Sequence, residues 1–296
     1  MNLIYKAQKE ISINEILNNE FNISTRLKNK LIKNKLIFVN SKFIDTRSIV
    51  QTGDIITIDL SFPEDNSNII PRQMDLDIVY EDKHLLAINK PAGLAVHPSI
   101  LHFEDSLANG VKYYFDTINL KKKIRAINRI DLNTSGLVLF AKNQYIQECL
   151  IKQMNTNVFK KTYLAIVSGH FKKKIGTINA PISRKENSII ERCISPNGQS
   201  AITHYEVMQE FNNYSLVKCI LETGRTHQIR VHMAHIGHPL LGDNLYNPGE
   251  NLILINRQAL HSYKMEFIHP ISNKLILLEA KLPTDIELLK NKTKRQ

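Results

Sequence analysis

The chain has 296 residues, 43% of them hydrophobic, which is enough for two domains with sizeable cores. Its 39 Lys and Arg outnumber 28 Asp and Glu, for a net charge of +11 and a pI of about 9.4, and such a surplus points to a polyanionic partner, nucleic acid or an anionic membrane. Met1 to Glu10 hold no apolar run of the signal-peptide kind, no stretch approaches the length of a transmembrane helix, and Cys149, Cys193 and Cys219 lack any paired spacing. The expectation is therefore a cytoplasmic protein with reduced thiols, not a secreted, membrane-spanning or disulfide-bonded one.

Residues 1–61 predict a small module. Ile13 to Leu17 form a short amphipathic segment. From Thr25 to Lys35, Leu27, Leu31 and Ile32 recur at helical spacing, with Arg26, Lys28, Lys30 and Lys33 around them. Leu36 to Asn40 read as a strand, Asn40-Ser41 and Gly53-Asp54 as turns, and Ile55 to Leu60 as a second strand. Ser24-Thr25-Arg26, the basic helix, Phe38-Val39-Asn40 and Val50-x-x-Gly53-Asp54-x-Ile56 together resemble the S4 domain, a small RNA-binding module. Ser41 stands where that domain usually has Gly. The resemblance implies phosphate contacts from Arg26, Lys28 and Lys33.

The stretch Ser61 to Gln73 is polar and carries two prolines, so residues 62–73 are expected to be a linker. Residues 74–290 then form the main domain, and residues 291–296 a basic tail. Strands are expected near Ile78–Glu81, Leu85–Asn89, Leu137–Lys142, Tyr163–Ser168, Thr203–Met208, Tyr214–Leu221 and Leu275–Ala280. Helices are expected near Ser106–Tyr114, Gln144–Met154 and His227–Ile236. Hairpin-spaced strands mixed with helices predict an α+β fold with a mixed, mostly antiparallel sheet, not a doubly wound parallel one.

Four stretches of this domain carry chemistry. Asn89-Lys90-Pro91-Ala92-Gly93 is a strand running into a rigid turn with one cation. Asn128-Arg129-Ile130-Asp131-Leu132-Asn133-Thr134-Ser135-Gly136 sets an Arg and an Asp two residues apart before a tight turn and a run of β-formers. Lys160-Lys161-Thr162-Tyr163 brings a Tyr into a strand behind two lysines, where it is either core or a ring to stack on a base. Glu222-Thr223-Gly224-Arg225-Thr226-His227-Gln228-Ile229-Arg230 ends a strand, and Thr226 is placed to cap the helix that follows. Later, Leu260 is a residue to line a pocket. The charge is concentrated around these motifs. From Lys121 to Lys174 there are twelve Lys and Arg against two acids, Asp131 and Glu148.

In this order and at these separations, the motifs resemble the RluA/RluD-type pseudouridine synthases, in which an S4-like N-terminus also occurs. The family hallmark His-Arg-Leu-Asp-x-x-Thr-Ser-Gly corresponds to residues 128–136, with Asn128 in place of the His. Gly-Arg-Thr-His-Gln-Ile-Arg is matched without exception at 224–230. The resemblance implies the pseudouridine synthase fold and the conversion of uridine to pseudouridine in structured RNA, most often large-subunit ribosomal RNA. No metal or redox cofactor is implied, because nothing is oxidised or hydrolysed. It implies Asp131 as the catalytic aspartate and Arg129 as the residue that holds the target base out of its stack. It also implies Tyr163 as the active-site tyrosine, Arg225 as the arginine paired with the aspartate, and Leu260 as an apolar wall. Lys160 and Lys161 join the RNA-binding set.

These residue types suit that reaction. A carboxylate acts near the sugar as nucleophile or base, and a nearby guanidinium keeps a buried carboxylate ionised. The site must exclude water, or cleavage of the glycosidic bond would leave an abasic position. The uridine has to be extruded at a cost of a few kcal/mol, which phosphate contacts to a basic surface offset. Tyr163 either stacks on the flipped base or helps remove the C5 proton. The competing readings are weaker. His227, His232, His235 and His238 have no Cys nearby and only Asp243 as a carboxylate partner for a metal. Ser135 lacks a Gly-x-Ser-x-Gly elbow, and no long basic amphipathic helix suggests a lipid surface. A non-catalytic RNA-binding or ribosome-assembly protein on the same fold would have no use for Asp131 in a basic pocket. The chain is expected to act as a monomer.

Overall fold

A computed structural model describes residues 1–156, 158–248 and 255–292. At the N-terminus, β1 (Asn2–Lys6), β2 (Ile37–Val39), β3 (Lys42–Phe43) and β4 (Ile55–Asp59) pair antiparallel in the order β1-β4-β2-β3. Helix α1 (Thr25–Lys33) starts at the N-cap Ser24 and buries Leu27 and Leu31, leaving Arg26 and Lys33 in solvent. The β2–β3 turn has positive φ at both Asn40 (47°) and Ser41 (68°), the mirror-image turn that suits a twisted hairpin. Asn40 stabilises it by donating to Asp54 Oδ1 (2.7 Å) and accepting from the Ile55 amide (3.0 Å). Ser41 therefore holds a left-handed position where Gly was expected.

The main domain is built on one large mixed sheet. Its strands are β5 (Ile78–Glu81), β6 (Leu85–Lys90), β7 (Ser135–Ala141), β8 (Lys160–Ser168), β9 (Ile175–Asn179), β10 (Ile202–Glu210), β11 (Tyr214–Leu221), β12 (Leu260–Ile268) and β13 (Leu275–Glu279). They run in the order β9-β10-β11-β8-β12-β7-β6-β5, with β13 also paired to β12. Every pairing is antiparallel except the short parallel contact of β12 with β7. The expected α+β class holds. On β6 and β7, Leu85, Ala87, Leu137 and Leu139 face one way, under α3 (Gln144–Met154). Leu86, Ile88, Val138 and Phe140 face the other, under α2 (Leu107–Thr117). Both faces are covered, which is why these strands read as unbroken apolar runs.

Two strands of the large sheet, β9 and β12, lie outside the expected set. β12 opens on a buried His261–Ser262 pair, after which Tyr263, Met265 and Phe267 alternate with Lys264 and Glu266, whereas β9 buries only one side chain and shows no apolar alternation. The last helix, α5 (Thr284–Lys292), begins inside the expected main domain and runs into the expected tail. Residues 293–296 of that tail lie outside the described residues.

Residues 62–73 contain no helix or strand, yet they are pinned along their length. Glu64, its side chain 1% exposed, accepts from both terminal nitrogens of Arg125 (2.7 Å each) and from Lys30 on α1 (2.6 Å). Lys122 donates to the carbonyls of Leu60 (2.8 Å) and Phe62 (2.6 Å), and Asn66 returns a bond to the Lys122 carbonyl. The N-terminal module also shares a core with the sheet, since Leu27, Ile56 and Ile58 belong to the same buried cluster as Leu85, Leu137, Leu150 and Phe267. Ser24 Oγ donates to Glu148 on α3 (2.6 Å). Much of the basic window is therefore spent inside the protein. Lys122 and Arg125 clamp the 62–73 segment, Lys142 pairs with Glu81, and Lys152 holds Asn22. Lys121, Lys123, Arg129, Lys160, Lys172 and Lys173 remain exposed.

Candidate active site

The segment before Asp131 runs beside β7. The Ile127 amide donates to the Leu139 carbonyl (2.7 Å). Asn128, 5% exposed, braces the same strand with its side-chain amide, donating to the Leu137 carbonyl (3.0 Å) and accepting from the Leu139 amide (2.9 Å). Asn128 thus fixes the rail from which Arg129 and Asp131 project. The turn after Asp131 is closed by the Thr134 amide on the Asp131 carbonyl (3.0 Å). Gly136 then enters β7 with φ +112°, and a Cβ there would lie 2.3 Å from the Ser262 carbonyl oxygen. Only glycine lets β7 meet β12 at this point.

Two buried cations hold the loop 131–135 from below. Lys90, at the end of β6, donates to the carbonyls of Pro91 (2.7 Å) and Leu132 (3.0 Å), and the Gly93 amide shares the Leu132 carbonyl. Burial pushes Lys90 down to about 7, the Arg257 guanidinium adds to the fall, and Asp131 partly opposes it. Arg257 donates to the carbonyls of Asn133 (3.0 Å) and Leu260 (3.3 Å) and pairs with Asp285 on α5 (2.7 Å). The Lys-Pro-x-Gly stretch is therefore a turn, as composition suggested, and also a grip on the residue after Asp131.

The opposite wall comes from the 224–230 block. Thr226 does not cap the helix that follows. The N-cap of α4 (Gln228–His235) is His227, in the left-handed conformation (φ 58°). The turn is held instead by Gln228, whose Oε1 accepts from the Thr223 hydroxyl (2.8 Å) and the Arg225 amide (2.9 Å). The arginine that meets Asp131 is Arg230, not Arg225. Arg230 Nη1 lies 3.2 Å from Asp131 Oδ2, while its Nε and Nη2 hold both oxygens of the fully buried Asp243 (2.7 and 2.8 Å). Its guanidinium sits 5.0 Å over the Tyr246 ring. Arg225 precedes the helix, is exposed, and donates to the Ser200 carbonyl (3.0 Å). His227 completes this side, with Nε2 3.9 Å from Asp131 Oδ2 and Nδ1 2.8 Å from the Tyr246 hydroxyl.

The third wall is sheet. Register sets Tyr163 on β8 opposite Ser262 on β12 and Cys219 on β11. Tyr163 is 6% exposed, and burial, with a smaller push from Asp131, raises its phenol to about 12 against a Ser262 hydrogen bond that lowers it. A cavity of about 680 Å³ opens between these walls, and Arg129, Asp131, Lys161, Tyr163, Arg225, Arg230 and Leu260 all line it. Of the predicted residues, Arg26, Lys28 and Lys33 sit apart on α1. Lys28 there bonds Asn14 (2.9 Å). Lys160 is exposed at the start of β8 and does not line the cavity.

Sequence reasoning missed Arg230, Asp243, Tyr246, Asn128 and Lys90 as parts of this site. Arg230 stands in the same block as Arg225, and Asp243 has no sequence signal beyond its place near the histidines. Three of the four histidines have other duties, His227 among them as described above, and His235 is exposed. His232 bonds Thr203 and the Ala180 carbonyl, and His238 bonds the Ser168 carbonyl and stacks on Phe171. Among the described residues no group of three or more His, Cys, Asp or Glu is placed to hold a metal.

Residues 84–235 match the family described as RNA pseudouridylate synthase. The chain is 44% identical over 255 residues to the uncharacterized RNA pseudouridine synthase YhcT of Bacillus subtilis (strain 168), covering 86% of this chain and 83% of that protein. It is 37% identical over 253 residues to ribosomal large subunit pseudouridine synthase D of Zymomonas mobilis, covering 81% and 79% of the two chains. Among solved structures, human RNA pseudouridylate synthase domain containing 4 has a TM-score of 0.60 at 21% identity, covering 73% of this chain and 92% of that one, a likeness of fold.

Proposed function

The chain belongs to the RNA pseudouridylate synthase family and is an RNA pseudouridine synthase of the RluA/RluD type, and from that premise we propose that it isomerises specific uridines of large-subunit ribosomal RNA with Asp131 as the reacting carboxylate. In this reaction the C1′–N1 bond breaks, the uracil turns, and a C1′–C5 bond forms. C5 gives up its proton and N1 gains one. Asp131 either attacks the sugar or removes a proton from it, and both roles need an ionised carboxylate with a free oxygen. Arg230 engages Oδ2 only, and among the described residues Oδ1 accepts no hydrogen bond.

The uridine enters the cavity flipped out of its helix, at a cost of a few kcal/mol. Arg129, exposed at the rim, fills the place it leaves. Leu260 packs against the base. A phenol raised to about 12 stays protonated at neutral pH, which favours Tyr163 as a ring lying on the uracil over Tyr163 as proton acceptor. The N-terminal module serves as an S4-like RNA-binding domain, with Arg26, Lys28 and Lys33 on phosphates, and Lys160 and Lys161 contact RNA on the catalytic side. The protein works as a cytoplasmic monomer, in keeping with its three free cysteines. No helix among the described residues is long and apolar enough to cross a membrane.

The observation that carries this reading is the Asp131–Arg230 contact of 3.2 Å inside a cavity walled by Arg129, Tyr163 and Leu260. The test is tritium release from unmodified large-subunit ribosomal RNA labelled with [5-³H]uridine. Wild type releases tritium. Asp131→Asn is expected to lower the rate by roughly four orders of magnitude while still binding the RNA. Undiminished release by Asp131→Asn overturns the role of the aspartate. Release from transfer RNA alone overturns the choice of target.

A further inference from the structure

Lys161 differs from every other cation of the basic window. It lies on β8 two residues before Tyr163, so strand alternation puts both side chains on one face, and both line the cavity. It is 7% exposed, yet among the described residues its ammonium has no hydrogen bond and no ion pair. The other buried cations are all engaged: Lys90 and Lys122 by carbonyls, Arg125 by Glu64, Arg230 by Asp131 and Asp243, Arg257 by Asp285. Burial alone lowers Lys161 from the ordinary lysine value, and among the described residues no carboxylate opposes the fall. An uncompensated buried charge is costly, so a site that keeps one is completed by a ligand.

The surroundings show where that ligand comes in. A Cβ built on Gly224 would stand 3.3 Å from Lys161 Nζ, in ordinary backbone conformation, so glycine there serves space and not chain direction. Lys161 is paired in register with Leu221, the last residue of β11, and the open turn at Gly224 follows directly. The ammonium therefore looks into the cavity past a residue with no side chain. Uracil and ribose are neutral. The only formal negative charges that RNA brings into the cavity are its phosphodiesters.

Resting on the pseudouridine synthase reading above, we infer that Lys161 grips a backbone phosphate of the RNA segment that enters the cavity, and so positions the flipped nucleotide against Asp131. It is a positioning residue and touches no reacting atom. Arg26, Lys33 and Lys160, by contrast, are solvated cations whose contacts only add affinity.

Lys161→Met tests this, with the exposed Lys274→Met as control. Thermal unfolding of the free protein is the first readout. Removing an unpaired buried charge is expected to raise the melting temperature by a few degrees, and a fall would mean that Lys161 has a structural partner, which overturns the inference. The second readout is tritium release from the labelled ribosomal RNA at several salt concentrations. Lys161→Met is expected to lose at least tenfold in kcat/KM, with the salt slope shallower by about 0.7 to 0.9, the share of one phosphate contact. An unchanged slope overturns the inference even if activity falls. If wild type itself releases no tritium from this RNA, the proposed target fails, while the stability readout still judges Lys161.

Discussion

Glu64 and Asp131 are both held by arginine, and they are held differently. Glu64, between the N-terminal module and the sheet, is 1% exposed at its side chain and receives three bonds from Arg125 and Lys30. Asp131, in the cavity, is 25% exposed and receives one hydrogen bond, from an arginine that gives its two shorter bonds to Asp243. Glu64 is saturated and its geometry is closed. Asp131 is oriented but keeps an oxygen to spare. Glu64 spends both its oxygens on structure, whereas Asp131, the carboxylate proposed to react, keeps one oxygen free among the described residues, with its arginine held in place by a second acid.

The largest break of this contrast is Arg230→Met. Asp131 loses its orienting partner and Asp243 is left buried without a counter-charge, so kcat is expected to fall by roughly 10² to 10³ and stability by about 3–5 kcal/mol. Single-turnover tritium release and urea unfolding measure the two effects. A variant with full turnover would mean that Asp131 needs no guanidinium. Glu64→Gln is expected to cost stability on the same scale, about 3–5 kcal/mol, but to leave kcat at saturating RNA within about twofold. Loss of kcat in a fully folded Glu64→Gln protein would contradict a purely structural Glu64.

Glu64 also sets a pH dependence. Burial alone would raise its pKa, but the hydrogen bonds of Arg125 and Lys30 outweigh burial and hold it below the ordinary glutamate value of 4.5. A depressed folded value gives stability that is present above the unfolded pKa and lost as pH falls through the folded one. Wild type should therefore lose stability below pH 4.5 more steeply than Glu64→Gln, and parallel urea-midpoint curves from pH 3 to 7 would remove Glu64 from the account.

A smaller effect sharpens the cavity side. If Tyr163 acts through its ring, Tyr163→Phe retains about tenfold more kcat/KM than Tyr163→Leu, in line with the stacking worth of an aromatic face. Equal losses would return the hydroxyl to the chemistry. Smallest of all, Arg225→Met is expected to change kcat by no more than about threefold, because its guanidinium is spent on a backbone carbonyl. A drop matching that of Arg230→Met would reverse the assignment of the two arginines. Removing residues 1–61 is not a clean test of RNA binding, since Leu27, Ile56 and Ile58 share a core with β6 and β7. Arg26→Ala with Lys33→Ala asks the same question from the surface, and a lower affinity with a shallower salt slope is the expected result.

Much of the fold was legible because its signals are local. Leu27 and Leu31 recur at helical spacing, Leu85–Asn89 and Leu137–Lys142 are apolar runs between turns, and Tyr214–Leu221 was placed to the residue. The edge strand β9 was not legible, because a strand that buries one side chain has no apolar rhythm, whereas in β12 only the buried His261–Ser262 start imitates a loop and the alternation of Tyr263, Met265 and Phe267 with Lys264 and Glu266 is a local signal. The basic window from Lys121 to Lys174 read as one surface, but sequence cannot tell a lysine in water from one that clamps a carbonyl, as Lys122 does.

By itself the sequence determined the class of the protein and much of its strand and helix pattern, and it brought Asp131, Tyr163 and Leu260 forward as candidates that line one cavity, since turn chemistry, periodicity and motif spacing act over a few residues. Only the tertiary structure decided which arginine serves Asp131. Arg225 and Arg230 stand five positions apart in one block, and a left-handed His227 at the start of α4 leaves the first outside the helix and the second within reach of both Asp131 and Asp243. Lys90 as a grip on Leu132 and Lys161 beside Gly224 in the cavity wall, with no partner among the described residues, are likewise relations between segments distant in sequence. Their physical basis is burial and pairing, which a sequence does not carry until the chain has closed around them.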